Sequence, residues 1–150
     1  MLVLTQGDLQ VTQSVTISGD VDFDNKADIT ISGNDASRIF TIYRSSGNTP
    51  VVNLESLDIA NGRSLQGGGG IYVSNATLTL LHSTVRDSSA EPSNGGTGGG
   101  IYGRSSDLTI ANSAITGNSA SIGGGVGVSS GSASGSATVS TRPLTGIAQR

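Results

Sequence analysis

Residues 67–85 read GGGGIYVSNATLTLLHSTV, and residues 98–115 nearly repeat them as GGGIYGRSSDLTIANSAI. An ungapped alignment of residues 68–90 with residues 98–120 has ten identities in 23 positions. Each copy contains the pattern L-x-[LI]-x-x-S-x-[VI], whose apolar spacing recurs from Val52 to Ile59. Repeats of this length are typical of architectures in which similar structural units stack on one another.

The apolar residues of each repeat alternate with polar ones, which predicts β-strands because successive strand side chains point to opposite faces. One repeat holds three such runs, at residues 101–103, 108–110 and 113–115, and no stretch has a helical period. A single unit cannot bury its apolar face, so the strands of successive units must stack in parallel. The sequence therefore predicts an all-β, right-handed parallel β-helix, since parallel crossovers are almost always right-handed.

Successive units should begin at equivalent positions of their first strands, and the positions taken as equivalent are Val15, Ile42, Ile71, Ile101 and Val126. They give units of 27, 29, 30 and 25 residues. The sequence thus predicts about five coils of 25–30 residues with three short strands each. The expected organisation is an N-terminal edge or partial coil at 1–14, β-helix repeats at 15–126, and a Gly/Ser-rich loop with a degenerate terminal coil at 127–150.

The glycine runs could indicate a nucleotide loop, because residues 98–103 fit G-x-G-x-x-G. That fingerprint requires a preceding strand and a following helix, whereas a polar loop precedes this run and a short strand follows it. The glycines are therefore interpreted as sharp corners between coils, and two asparagines as residues that satisfy turn backbone groups. The predicted structural turn residues are Gly68, Gly69, Gly70, Gly98, Gly99, Gly100, Gly123, Gly124, Gly125, Asn34 and Asn118.

All three tyrosines of the chain, Tyr43, Tyr72 and Tyr102, follow an isoleucine that is predicted to point inward. Alternation then places the tyrosines on the outer face, one coil apart, as an exposed aromatic ladder. Such a ladder can serve as a platform for sugar rings or a partner protein, or it can stabilise the coils by side-chain stacking.

Four aspartates, Asp20, Asp22, Asp24 and Asp28, are spaced like the start of a calcium loop. The EF-hand interpretation fails because the sixth position is not glycine and the twelfth is not glutamate. A simple strand with Val21 and Phe23 pointing inward also explains the spacing. A calcium site at these aspartates remains an alternative, and a calcium titration that leaves the thermal midpoint unchanged would exclude it.

Composition narrows the possible functions. The formal net charge is −3, with −5 on residues 1–60 and +2 on residues 61–150, and this acidic first half makes nucleic-acid binding unfavourable. There are no cysteines for a disulfide or thiolate metal site, no apolar run long enough to span a bilayer, and no motif that requires a cofactor. The single histidine, His82, is expected at a solvated corner. An export signal is not recognisable in this chain.

The run from Ile115 to Ala120, followed by Gly123–Val126, resembles the paired F-x-x-N and G-G-A-[ILV] motifs of polymorphic outer-membrane proteins. More broadly, DITISGNDASRIFTI and LTIANSAITGNSAS resemble bacterial surface or secreted proteins with pectate-lyase-like right-handed β-helix repeats. The resemblance covers about residues 9–126. It implies an extracellular or cell-surface scaffold for adhesion or display, with carbohydrate or a host or cell-surface protein as partner.

Some proteins of this fold are polysaccharide lyases or glycosidases, so the chain could instead be a fragment whose catalytic coils lie elsewhere. Such enzymes need clustered carboxylates or basic residues on one face. Aligning the coils places no acidic pair or basic residue on adjacent turns of one face, which favours a non-enzymatic role.

Overall fold

The computed structural model describes residues 1–130 and the backbone of one further strand at residues 136–140. In chain order the strands are β1 (Leu2–Val3), β2 (Leu9–Val11), β3 (Val15–Ser18), β4 (Ile29–Ser32), β5 (Phe40–Tyr43), β6 (Val51–Glu55), β7 (Leu57–Ala60), β8 (Arg63–Ser64), β9 (Ile71–Ser74), β10 (Thr77–Leu81), β11 (Thr84–Arg86), β12 (Ser89–Ala90), β13 (Ile101–Arg104), β14 (Asp107–Ala111), β15 (Ala114–Thr116), β16 (Val126–Ser129) and β17 (Ser136–Ser140). A short 3-10 helix, Pro92–Asn94, lies between β12 and β13. Among the described residues, no helix has the length and apolar character needed to cross a bilayer.

Three parallel sheets of five strands each form the body of the molecule. Sheet A contains β1, β4, β7, β11 and β15; sheet B contains β2, β5, β9, β13 and β16; sheet C contains β3, β6, β10, β14 and β17. The chain visits sheets A, B and C in that order throughout, so each return to a sheet completes one coil. The short strands β8 and β12 pair at a corner outside the three sheets.

This topology confirms the predicted parallel β-helix with three strands per coil. The chain completes about four turns, slightly fewer than the five predicted, because β16 and β17 only begin the next coil. The right-handed winding stays a prediction. Of the predicted terminal segment at 127–150, residues 131–135 and 141–150 lie outside the described residues.

The register of the later coils follows the sequence repeat, but the register of the early coils does not. Ile71 pairs with Ile101, and Ile101 pairs with Val126, as predicted. However, Phe40 rather than Ile42 pairs with Ile71, and Val15 lies in sheet C opposite Val52. The positions equivalent to Ile71 are therefore Leu9, Phe40, Ile101 and Val126, separated by 31, 31, 30 and 25 residues along the chain. For Ile42 the shift is two residues, which leaves the same side chains pointing inward, so alternation alone could not reveal the wrong pairing of this strand.

Aliphatic ladders fill the interior between the three sheets. Phe40, Ile71 and Ile101 form one ladder from sheet B, and all three side chains are fully buried. Val52, Leu78 and Leu108 form another from sheet C. Each fully buried side chain of this size contributes about 1.5–3 kcal/mol, so the stacked coils are stabilised mainly by these ladders.

The predicted inward placement of Val21 and Phe23 is wrong. Both lie in the loop between β3 and β4, where Phe23 is 88% exposed and has a φ of 64°. Carboxylates organise this loop instead: Asp28 accepts a hydrogen bond from the backbone N–H of Val21, and Asp20 accepts one from the backbone N–H of Asn25. Side-chain to backbone bonds of this kind compete with strand formation, which explains why the alternating residues do not form a strand.

The glycine runs lie at the corner that leads into sheet B. Gly68, Gly98 and Gly123 have φ values of 61°, 61° and 58°, a region that strongly favours glycine. At the next position, an added Cβ on Gly69 would lie 2.4 Å from the Ser89 carbonyl oxygen. The second glycine is therefore required by close packing of the chain rather than by its dihedral angles.

Asn34 and Asn118 do not play the same part at their corners. Asn34 is left-handed, with a φ of 55°, whereas Asn118 is not. The left-handed residue at the later corner is Gly117, and Asn118 follows it. The Asn118 amide instead accepts from the Ser88 backbone N–H and donates to the Val85 carbonyl oxygen, both at 2.9 Å. Its role is to connect two coils through hydrogen bonds.

Candidate binding cleft

Two tyrosines lie side by side on the outer face of sheet B. Tyr72 and Tyr102 pair in register, with ring centroids 5.7 Å apart and ring planes inclined by 39°. Both are half-buried, while the flanking Ile71 and Ile101 are fully buried. The outward ladder thus exists at these two positions, as alternation along the strand requires.

Tyr43 does not belong to this ladder, contrary to the prediction. It pairs with Ser74, and Thr41 occupies the place opposite Tyr72. The Tyr43 hydroxyl lies 3.4 Å from Gln10 Oε1, on the preceding coil. The aromatic ladder therefore contains two tyrosines rather than three.

Arg38 packs against Tyr72 and binds the backbone of the corner before it, a role that the sequence did not predict. Its guanidinium donates hydrogen bonds of 2.8 Å to the carbonyl oxygens of Gly67 and Gly68. It also donates to Ser64 Oγ at 2.8 Å and to Thr41 Oγ1 at 3.1 Å. Three of these partners lie 26 to 30 residues further along the chain, so no local pattern could reveal them.

The Arg38 guanidinium and the Tyr102 ring flank Tyr72 along the solenoid axis. The guanidinium carbon lies 4.9 Å from the Tyr72 ring centre, which is within the range of a cation–π contact. Burial lowers the pKa of Arg38, while the negative charge of Asp8 acts in the opposite direction. An arginine side chain stays charged in proteins, so a fixed positive charge lies beside the Tyr72 ring.

Tyr102 is held on its other side by contacts with the neighbouring coils. Its hydroxyl forms a hydrogen bond of 2.8 Å with Ser129 Oγ. An added Cβ on Gly67 would lie only 2.6 Å from Tyr102 Cδ1, which means that the ring rests against this glycine. The two rings are therefore positioned before any ligand binds, which lowers the entropic cost of recognition.

The loop of residues 91–97 forms a wall beside the tyrosines. The 3-10 helix Pro92–Asn94 shapes it, and the Thr97 N–H donates to the Gln66 carbonyl oxygen at 2.9 Å. Between this wall and sheet B lies an open cleft of about 410 Å³. The lining residues are Arg38, Gln66, Gly67, Tyr72, Asn94, Gly95, Thr97, Tyr102 and Arg104.

Three of the four calcium-candidate aspartates come together, but away from this cleft. Ligand oxygens of Asp20, Asp22 and Asp28 lie within 4.8 Å of one another. Asp24 is not part of the group: it pairs with Lys26, and the hydrogen bond from Lys26 lowers the pKa of Asp24. Calcium binding at this loop stays a prediction.

A second charged group lies on the outer face of sheet A. Arg86 binds Asp58 through two hydrogen bonds of 2.8 and 2.9 Å and Asp87 through one of 2.9 Å. These bonds raise the pKa of the Arg86 guanidinium above its ordinary value. Arg86 binds both carboxylates, so this group is a surface ion-pair network that connects two coils rather than a candidate binding site.

The stacked coils define the class of protein, a parallel β-solenoid, and the cleft beside Tyr72 and Tyr102 is a concave, mixed aromatic and polar site on the outer face of sheet B. Comparison with known proteins finds no matching family model, no similar curated protein and no similar solved structure.

Proposed function

We propose that this protein is a non-enzymatic β-solenoid scaffold of a bacterial surface or secreted protein, and that it binds carbohydrate in the cleft beside Tyr72 and Tyr102. Its role would be adhesion or surface display. The single observation that supports this proposal is the pre-positioned tyrosine pair of sheet B, which lines an open cleft of about 410 Å³. That volume falls in the range of about 300–1,000 Å³ that is typical of small-ligand sites.

The chemistry of the lining suits a sugar. Aromatic side chains offer an apolar surface to the C–H groups of a pyranose ring, and their hydroxyl groups can bind its hydroxyls. The Gln66 and Asn94 side chains add amide donors and acceptors, and Thr97 adds a hydroxyl. A ligand rich in hydroxyl groups can satisfy this mixed surface better than a purely apolar ligand.

The scaffold suits presentation of such a site. The ladders of fully buried residues run through successive coils, and the cleft is built on strands β9 and β13 in the middle of sheet B. Sites on strands are held more rigidly than sites on loops alone, which favours stable exposure of the binding surface.

A glycan array followed by titration of the bound sugars tests the proposal. We expect Tyr102→Ala to weaken binding at least tenfold, which corresponds to about 1.4 kcal/mol. Tyr43→Ala is the matched control, because Tyr43 lies on the same face of the same sheet but outside the cleft. Its affinity should equal that of the unmodified protein.

Both variants should keep the β-rich circular dichroism spectrum, so that a loss of binding reports the site and not the fold. Absence of binding to every glycan, or an equal loss in both variants, would contradict the proposed cleft. Release of shortened products from a bound polysaccharide would contradict the non-enzymatic role.

A further inference from the structure

The cleft has an unbalanced positive charge. Two arginines, Arg38 and Arg104, line it, and among the described residues no carboxylate does. Two acidic groups lie near its margins: Asp8 accepts a hydrogen bond from the Thr41 hydroxyl that also accepts from Arg38, and Glu91 forms an ion pair with Arg63 at 3.1 Å. Asp8 compensates part of the Arg38 charge, so a neutral ligand would leave chiefly the Arg104 charge without a counter-ion.

Arg38 supplies the fixed part of the charge. All four of its hydrogen bonds go to neutral carbonyl or hydroxyl groups, so within residues 1–130 it forms no direct ion pair, and Asp8 reaches it only through the intervening Thr41 hydroxyl. Because a guanidinium has five N–H donors, one of them has no partner in this part of the chain. A half-buried charge of this kind acts on a ligand more strongly than an exposed one, since water screens it less.

Arg104 supplies the exposed part of the charge. It lies two residues after Tyr102 on strand β13, so alternation sends both side chains to the same outer face. It is exposed, and its side chain makes no hydrogen bond or ion pair with a described residue. Arg63 and Arg86, by contrast, are each paired with a carboxylate.

We propose that the cleft selects acidic glycans, and that Arg104 is the residue that recognises their carboxylate or sulfate group. This inference rests on the proposed carbohydrate binding and names its ligand class. Arginine binds planar carboxylate and tetrahedral sulfate oxygens through two parallel N–H donors, which a sugar hydroxyl cannot match. In the complex the tyrosine pair contacts the sugar ring, and Arg104 contacts the charged substituent.

The test uses probes that share one backbone and differ in charge. Dextran, carboxymethyl-dextran and dextran sulfate are titrated alongside paired neutral and uronate-containing oligosaccharides, at low and at high salt. We expect binding of the charged members only, with weaker binding at high salt. Preference between carboxymethyl-dextran and dextran sulfate identifies which anion the site accepts.

Arg104→Ala should lower the affinity for the charged probes by about tenfold, or about 1.4 kcal/mol, and Arg104→Lys should restore part of it. The matched control is Arg44→Ala. Arg44 directly follows strand β5 of sheet B and, like Arg104, is exposed and makes no side-chain bond to a described residue, but it does not line the cleft. Both variants remove one positive charge, so a general charge effect would lower the affinity of both for the charged probes by the same factor.

Three outcomes contradict the inference in distinguishable ways. Equal binding of neutral and acidic members, with Arg104→Ala unchanged, overturns acidic selection and leaves the carbohydrate site intact. Equal losses in Arg104→Ala and Arg44→Ala show non-specific attraction to the whole surface. Binding to none of the probes or array glycans overturns both the inference and the proposed function.

Discussion

The guanidinium carbon of Arg38 lies 4.9 Å from the centre of the Tyr72 ring, although the two residues belong to successive coils. The same guanidinium donates to the carbonyl oxygens of Gly67 and Gly68, at the corner that leads into strand β9. One side chain therefore ties a corner, a strand and an aromatic ring together. Arg38 therefore contributes both to the stability of the solenoid and to the shape of the cleft.

Arg38→Ala should lower the free energy of unfolding by about 2 kcal/mol, because buried acceptors left without a donor cost roughly 1–3 kcal/mol. Urea denaturation followed by circular dichroism measures the change. Arg44→Ala serves as the control: its side chain is exposed and makes no bond to a described residue, so a change within about 0.5 kcal/mol is expected. A similarly small change in Arg38→Ala would mean that its four hydrogen bonds contribute no stability.

Gly98→Ala should destabilise the protein more than Gly47→Ala, although both glycines have positive φ. At Gly98 the new Cβ would lie 2.1 Å from the Ile101 carbonyl oxygen, whereas at Gly47 it would meet nothing within 4 Å. We expect a loss of about 1 kcal/mol at Gly47 from the dihedral angle alone, and of about 3 kcal/mol or more at Gly98 from strain and backbone displacement. Midpoints of urea unfolding compare the two, and equal losses would contradict the close approach at the corner.

Phe23→Ser and Phe40→Ala separate an exposed phenylalanine from a buried one. Phe23 is 88% exposed, so its replacement should change the free energy of unfolding by no more than about 0.5 kcal/mol. Phe40 is fully buried, and its replacement should cost about 3–5 kcal/mol. Thermal unfolding monitored by circular dichroism measures both. A large decrease in the free energy of unfolding of Phe23→Ser would instead support the strand with Phe23 pointing inward that the alternating sequence predicted.

Local repetition made the centre of the fold predictable. Ile71 and Tyr72 recur at Ile101 and Tyr102 with no gap between the copies, so aligning the sequence also aligned the strands. The tyrosine pair could be found in this way because both members lie in the best-preserved part of the repeat.

The early coils were less predictable because their loops vary. Ile42 and Tyr43 repeat the letters of Ile71 and Tyr72, yet the structure places them two positions further along the strand. Phe40 and Ile42 both point inward, so either pairing buries an apolar residue. Loop lengths and the packing of Phe40 against Ile71 decide between the two registers.

The sequence by itself determined the strand periodicity, the stacked parallel coils, the glycine corners and the adjacency of Tyr72 and Tyr102. These features depend on side-chain alternation and on dihedral angles, which neighbouring residues specify. Only the tertiary structure decided that Tyr43 lies outside the ladder, that Phe23 faces solvent, and that Arg38 packs against the Tyr72 ring. The outcomes for Tyr43 and Arg38 depend on how each coil packs on the next, through contacts between residues about 30 positions apart, which no local pattern reveals. The outcome for Phe23 depends on hydrogen bonds within its own loop, where the Asp20 and Asp28 carboxylates accept from backbone N–H groups.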